Sequence, residues 1–279
     1  MINRTRSIAL AFCCTRDNNT YQDREDAGPV RREKIVVWVL KKAGSLLGYD
    51  VVRKAKSDRI VRHLERFFAA HPIDLVLDCG GDTGQFGAKC REAAYASAIL
   101  SFEPLAGAFA KLAERAQRDG NWRALQTGLG ETAGVLQLNV SSGDTGLSSA
   151  FDAEPAMTAR FPELVYGSKE QVPVRRLDDV LAAEMVGRTS RIFLKSDTQG
   201  YDLHVLKGLG DRMPQIAGLL IEMSVIPLYR DAPSHWQTLE FARQAGFEPY
   251  GFATITRDDK GGMIEYDAIF RRREDIKRG

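Results

Sequence analysis

Asp74-Leu-Val-Leu-Asp78-Cys79-Gly80-Gly81-Asp82-Thr83-Gly84 is a short apolar run that ends in an acid and breaks into glycines. A run of this length with charged ends suits a strand buried on both faces of a parallel sheet. Glycines between a strand and a helix let a ligand approach the backbone closely. In an open α/β sheet, ligands bind beyond the carboxyl ends of the strands, where the strand order reverses. The turn from Asp78 to Gly84 is therefore the expected ligand site. Two ligand classes fail on spacing. A dinucleotide fingerprint, G-x-G-x-x-G, starting at Gly80 needs glycine where Asp82 and Gln85 stand. A phosphate-binding loop ends in Gly-Lys-Ser/Thr, and no such end follows. Asp82 would also repel a pyrophosphate, whereas it suits a ligand carrying an ammonium and a sulfonium. A tight turn that binds nothing is the bland alternative.

The chain downstream alternates strands and helices. Gln85 to Tyr95 has helical spacing, Ala98 to Phe102 reads as a strand, and Leu105 to Arg118 as a helix. Trp122 to Thr127 and Val135 to Val140 read as strands. Ser141 to Lys169 is polar and reads as a substrate or lid loop with a short helical piece. Val172-Pro-Val174 restarts the order, and a short helix covers Leu177 to Met185. Arg191 to Leu194 and Leu219 to Ile221 are further strands, with a turn and helix between them. Trp236 to Ala245 is helical, stopped by Gly246. Phe247 to Ile255 and Met263 to Arg271 form a closing hairpin across Arg257 to Gly262. The expected fold is α/β: a mostly parallel sheet with an antiparallel edge strand and helices on both faces.

Upstream the pattern is weaker. A helix is expected from Ser57 to Ala70, with Ile60, Val61, Leu64, Phe67 and Phe68 on one face. Ile35 to Leu40 is an apolar run placed in a helix from Arg32 to Leu47. Residues 1–30 read as irregular. Arg4 and Arg6 before Ile8 to Cys14 mimic a secretory signal. The run is short, however, and Arg16, Asp17 and Asn18 follow without a cleavage site, so an early strand or loosely packed arm is expected. The division is thus an N-terminal arm and helical extension, 1–71, a Rossmann-like domain, 72–273, and a basic tail, 274–279.

With 39 basic and 37 acidic side chains the net charge is +2, which argues against a nucleic-acid binder working through phosphate charge. No stretch approaches a membrane span. Cys13, Cys14, Cys79 and Cys90 show no metal or disulfide spacing, which suits a reducing cytoplasm. The start of the chain is a candidate contact for a homodimer.

Three acids at strand ends complete the candidate site. Glu103-Pro104 ends the second strand, about 20 residues past the glycines, where a carboxylate can accept both hydrogen bonds of a ribose diol. Asp197 follows a buried strand in Leu194-Lys-Ser-Asp197-Thr-Gln-Gly200-Tyr-Asp202. It can take a proton from a substrate hydroxyl, hold a metal such as Mg²⁺ that does so, or cap the next helix. Glu222 ends the next strand. It is either the partner of Asp197 or a salt-bridge residue. The candidate cofactor residues are Asp78, Gly80, Gly81, Asp82, Thr83, Gly84, Glu103 and Pro104. The candidate catalytic pair is Asp197 and Glu222.

The ordered series VLDCGGDTGQFG, SFEP, VPVRRLDDVL, LKSDTQGYDLHVLKG, IEMSVIPLY and ARQAGFE resembles the FkbM family of methyltransferases, from about Asp74 to Arg271. The resemblance implies a class I, S-adenosylmethionine-dependent enzyme with a seven-stranded sheet whose last strand is antiparallel. It implies that Asp78, Gly80, Gly81 and Gly84 cradle the methionine part and that Glu103 holds the ribose. It also implies O-methylation of a sugar, glycan or polyketide-type acceptor. The chain departs from the family pattern at four places. The usual Gly-Ala-Asn is Gly80-Gly81-Asp82, an apolar residue is Ser196, a Glu is Asp202, and the polar adenine contact is Gly130.

The expected mechanism is in-line displacement, with Asp197, alone or with Glu222, removing the proton of a hydroxyl on a small-molecule or glycan acceptor. The rivals are transfer to an amine or peptide nitrogen, a cofactor-binding module without catalysis, and a nicotinamide dehydrogenase.

Overall fold

The structure, a computed structural model, describes Lys42 and residues 59–162 and 164–276. The readings of residues 1–30, of the helix from Arg32 to Leu47 and of the end of the tail lie outside these. Of the expected helix from Ser57 to Ala70, the part described is α1, Arg59–Ala70.

Strand and helix then alternate: β1 (Leu75–Cys79), α2 (Gln85–Glu92), β2 (Ala98–Phe102), α3 (Ala106–Asp119) and β3 (Trp122–Leu125). Next come β4 (Gly128–Leu129), β5 (Gly134–Ser141), α4 (Pro155–Arg160), β6 (Tyr166–Arg175) and α5 (Leu177–Ala183). The chain closes with β7 (Ile192–Ser196), α6 (Asp202–Lys207), β8 (Ile216–Ser224), α7 (His235–Gln244), β9 (Phe247–Arg257) and β10 (Met263–Arg272). Seven strands form one sheet in the order β3-β2-β1-β7-β8-β10-β9. The first five are parallel, and β10 runs antiparallel to β8 and β9. The last strand is therefore the antiparallel one, as expected, and it sits one place in from the edge.

Strand side chains alternate between the two faces of the sheet, and each face has its own core. Val76, Ile99, Phe193, Leu220 and Ile269 pack on one face against Val61, Leu64 and Phe67 of α1 and against α2 and α3. Leu77, Leu100, Leu194, Leu219 and Ile221 pack on the other, against α5, α6 and α7. The α1 helix, expected within a separate extension, is built into the first core. Its Phe67 is fully buried and meets Phe193 edge-on, with ring centroids 5.0 Å apart.

Val135 to Val140 and Val172 to Val174, both expected as strands, lie in a second sheet of order β4-β6-β5. Ser141 to Lys169 is more ordered than a lid loop. It holds a 3₁₀ turn at Thr145–Leu147, the α4 helix and the first residues of β6. The outer half of β6, Tyr166 to Glu170, is mostly exposed, so no apolar alternation marks it in the sequence.

β1 is where the chain turns back on the strand order, with β2 and β3 on one side and β7 on the other. The turns after β1 and β7 touch. Gly80 has φ +73°, and a Cβ there would lie 1.9 Å from the Asp197 carbonyl oxygen. This glycine serves chain packing as well as conformation. Gly80→Ala should cost more than about 1 kcal/mol in denaturant unfolding. Gly107→Ala, in α3 with nothing within 4 Å, should gain up to about 1 kcal/mol. Equal effects at the two positions would refute the packing argument.

Candidate active site

Ser101, Asp78 and Lys195 are direct neighbours in the register of β2, β1 and β7. All three are buried. The Lys195 ammonium lies 3.2 Å from Asp78 Oδ1, and the Ser101 hydroxyl donates to Asp78 Oδ2 at 2.8 Å. The Trp122 indole donates to Ser101 in turn. Burial alone would lower the Lys195 ammonium, but the Asp78 and Asp197 carboxylates outweigh it and hold it above its usual value. Lys195 also donates to the carbonyls of Gly80, at 2.6 Å, and Cys79, at 3.3 Å. One charge thus ties strand, turn and the next strand together. A lysine inside the apolar run Ile192-Phe-Leu-Lys195 was the sequence signal for it, because such a charge requires a buried partner.

A cleft of about 750 Å³ opens over these turns. Gly80, Asp82, Glu103 and Pro104 line it, as does Asp197. Its apolar wall includes Phe102, Leu105 and, from the second sheet, Leu136, Leu138 and Val172. Thr127 and Gly128 also face it; Gly130 does not stand among its lining residues. None of this wall was legible as a site, since leucines and valines read only as strand.

Glu103 is buried at the end of β2. Its Oε2 accepts the Asp82 N–H and its Oε1 the Leu105 N–H, each at 2.9 Å. Each oxygen keeps a second lone pair. Burial pushes this carboxyl up to about 7, against the two backbone bonds that favour its charged form. Asp82 stands at φ +42° and accepts from Thr145 Oγ1 and Gln85 Nε2, both at 2.7 Å. Burial pushes it up, but the bonds from Gln85, Thr145 and the Thr83 N–H outweigh that and hold it below its usual range. Both carboxylate oxygens accept, which an amide at position 82 could not do, so these contacts favour the charged form at the edge of the cleft.

Four of the expected cofactor residues stand apart from this cleft. Asp78 lies behind the turn, fully buried, and acts on it through Lys195. Gly84 packs against Arg115, Trp122 and Leu112, and Thr83 opens beside Arg115 and Arg118. Gly81 lines a second cavity of about 1180 Å³, which shares Gly80, Asp82 and Asp197 with the first.

Asp197 is partly buried and lines both cavities. Among the described residues its carboxylate accepts from Gln199, lies 3.8 Å from Lys195 and caps no helix. The capping reading therefore fails: the residue before the helix is Tyr201, and no side chain caps it. Asp202 Oδ1 accepts the Thr198 N–H, at 3.0 Å, and the Ser196 hydroxyl, at 2.6 Å. Two of the departures from the family pattern, Ser196 and Asp202, thus bond each other.

Glu222 lines the second cavity but not the first. It meets Asp197 through Gln199, whose Nε2 donates to Asp197 Oδ1 at 2.9 Å and to Glu222 Oε1 at 3.2 Å. Burial, then the charges of Asp197, Asp267, Glu265 and Asp202, push Glu222 well above the carboxylate range. Among the described residues no group of three His, Cys, Asp or Glu side chains is arranged to hold a metal. The donor set does not fit the Mg²⁺ considered from the sequence, because the two acids converge on an amide. Among the described residues no helix is long and apolar enough to cross a membrane.

A reversed strand order with a cleft at the turn defines a doubly wound α/β fold of the Rossmann-like type. Residues 78–249, more than half the chain, match the methyltransferase FkbM domain. The chain belongs to this family and is an S-adenosylmethionine-dependent methyltransferase. No protein of curated function matches its sequence. Several solved structures are similar. Rv0187 from MTB, cofactor-bound, has TM-score 0.45 at 12% identity, over 89% of this chain and 99% of its own. An rRNA methylase from Streptococcus thermophilus has TM-score 0.42 at 11% identity, over 80% and 99%. The 1,6-didemethyltoxoflavin-N1-methyltransferase of Burkholderia thailandensis, with S-adenosylhomocysteine bound, has TM-score 0.38 at 14% identity, over 90% and 93%.

Removing one partner of a buried ion pair leaves the other charge stranded. Lys195→Met should therefore lower unfolding stability by about 3–5 kcal/mol, and Asp78→Asn in the same chain should restore part of it. A loss no smaller in the double variant would show that the pair is not what holds the turn.

Proposed function

We propose that this methyltransferase acts on a hydroxyl of a small-molecule or glycan acceptor, with Asp197 as the proton acceptor. The observation that carries the reading is that Asp197 lines both cavities where they meet. S-adenosylmethionine supplies a methyl group on a sulfonium, and the first cavity has the groups to hold it. The free lone pairs of Glu103 suit the ribose hydroxyls. Gly80 and the charge of Asp82 suit the amino-acid end, with Pro104 beside the ribose and Gly81 on the second-cavity side of the same turn. Leu136, Leu138 and Val172 suit the adenine. Asp78, Thr83 and Gly84 shape the turn from behind.

The second cavity takes the acceptor. Asp197 receives the hydroxyl proton as the oxygen attacks, and the cleft orients the two reactants, a large part of the rate in such transfers. Net charge of +2 supports a small or glycan acceptor over a nucleic acid. The buried free thiols Cys79 and Cys90 support a reducing cytoplasm.

One observation favours nitrogen instead. Asp197, Glu265 and Asp267 line the second cavity together, and their carboxylates would draw in a protonated amine. The product separates the two: a methylated amine stays basic and a methyl ether is neutral.

The test is calorimetry with S-adenosylhomocysteine, then radiolabelled methyl transfer to an acceptor panel. Ribose hydroxyls donate to the charged form of Glu103, and in the free protein that form is lost as pH falls through about 7. Affinity should therefore drop about tenfold per pH unit below that value and level off above it. Glu103→Gln should flatten the profile. Asp197→Asn should keep cofactor affinity and lose turnover by about a hundredfold or more. Near-normal turnover in Asp197→Asn would defeat its role as base, and a flat wild-type profile would defeat the role of Glu103.

A further inference from the structure

Gln199 has φ +50°, a left-handed backbone that glycine adopts freely and an L side chain adopts at a cost. Such an outlier persists only where its surroundings hold it. Here they do. Ser149 Oγ donates to the Gln199 carbonyl at 2.7 Å. The side-chain amide donates to Asp197 at 2.9 Å and to Glu222 at 3.2 Å. Its Oε1 accepts from the hydroxyl of Tyr229, itself buried. An ionised carboxylate can only accept, so it requires the NH₂ edge of the amide. Tyr229 occupies the opposite edge and fixes which way round the amide sits. Gln199 also lines three cavities: the first, the second, and a third that runs past Glu222 and Tyr229 to Trp236.

We propose that Gln199 is a positioning residue for methyl transfer: its amide, oriented by Tyr229, holds the carboxyl groups of Asp197 and Glu222 together at the point where the methyl passes from donor to acceptor. This rests on the reading of Asp197 as the group at that point. The two carboxyl groups share one donor. Without it, Asp197 is free to close the 3.8 Å gap to Lys195 and withdraw from the cavities.

Two ligands read this without an acceptor. S-adenosylhomocysteine has no charge at the transfer point, and sinefungin carries an ammonium where the transferred methyl would be. In the wild-type chain calorimetry should show sinefungin the tighter binder. Gln199→Gly suits the left-handed backbone, which offsets part of the stability lost with the amide's hydrogen bonds, so the variant should stay folded with a cooperative melt. Its affinity for S-adenosylhomocysteine should be unchanged, while the preference for sinefungin falls about tenfold, the loss of a charge-assisted contact. Tyr229→Phe should shift the preference the same way. An unchanged preference in both variants would overturn the proposal. So would an equal loss of both ligands, which marks a merely structural residue. Failure of the wild type to bind S-adenosylhomocysteine would remove the cofactor reading, and this inference with it.

Discussion

The buried ion pair between Lys195 and Asp78 joins β7 to β1 at the point where the strand order reverses, and the geometry of the cleft follows from it. A pair of apolar side chains of similar volume would stabilise the sheet as well or better. It could not hold the carbonyls of Cys79 and Gly80, as the same ammonium does. The pair therefore sets shape more than it adds stability. Fixing the Gly80 carbonyl fixes the turn. The turn in turn packs against the backbone of Asp197, where only a hydrogen on the Gly80 α-carbon fits.

From this junction the work of the fold divides. The turns after β1, β2 and β7 and the second sheet build one cavity, with Glu103, Asp82 and Asp197 as its charged groups. The ends of β7, β8, β9 and β10 contribute to the other, which is rich in carboxylates. The 3₁₀ turn at Thr145–Leu147 stands between them: Gly146 lines both, and Thr145 is tied to Asp82. Asp197 and Gln199 are where the two halves meet.

Much of this was legible in the sequence, and for physical reasons. Residues buried on both faces of a parallel sheet give short apolar runs, and Leu75 to Cys79 and Leu219 to Ile221 are such runs. Acids at the ends of those runs must face a cleft or a partner, which singled out Glu103, Asp197 and Glu222. What stayed hidden depended on distant pairing. Asp78 reads as another strand-end acid, yet register sets it opposite Lys195 and seals it in. Gln199 and Tyr229 are 30 residues apart and meet only through the fold. The outer half of β6 is a strand because β5 pairs with it, and its exposed polar residues carry no periodic mark.

The most direct measurement is a crystal structure with S-adenosylhomocysteine bound. The account predicts the ribose hydroxyls on Glu103, the adenine against Leu136, Leu138 and Val172, and the sulfur turned toward Asp197. A ligand bound away from Glu103, or with its sulfur turned from Asp197 and Gln199, would contradict it.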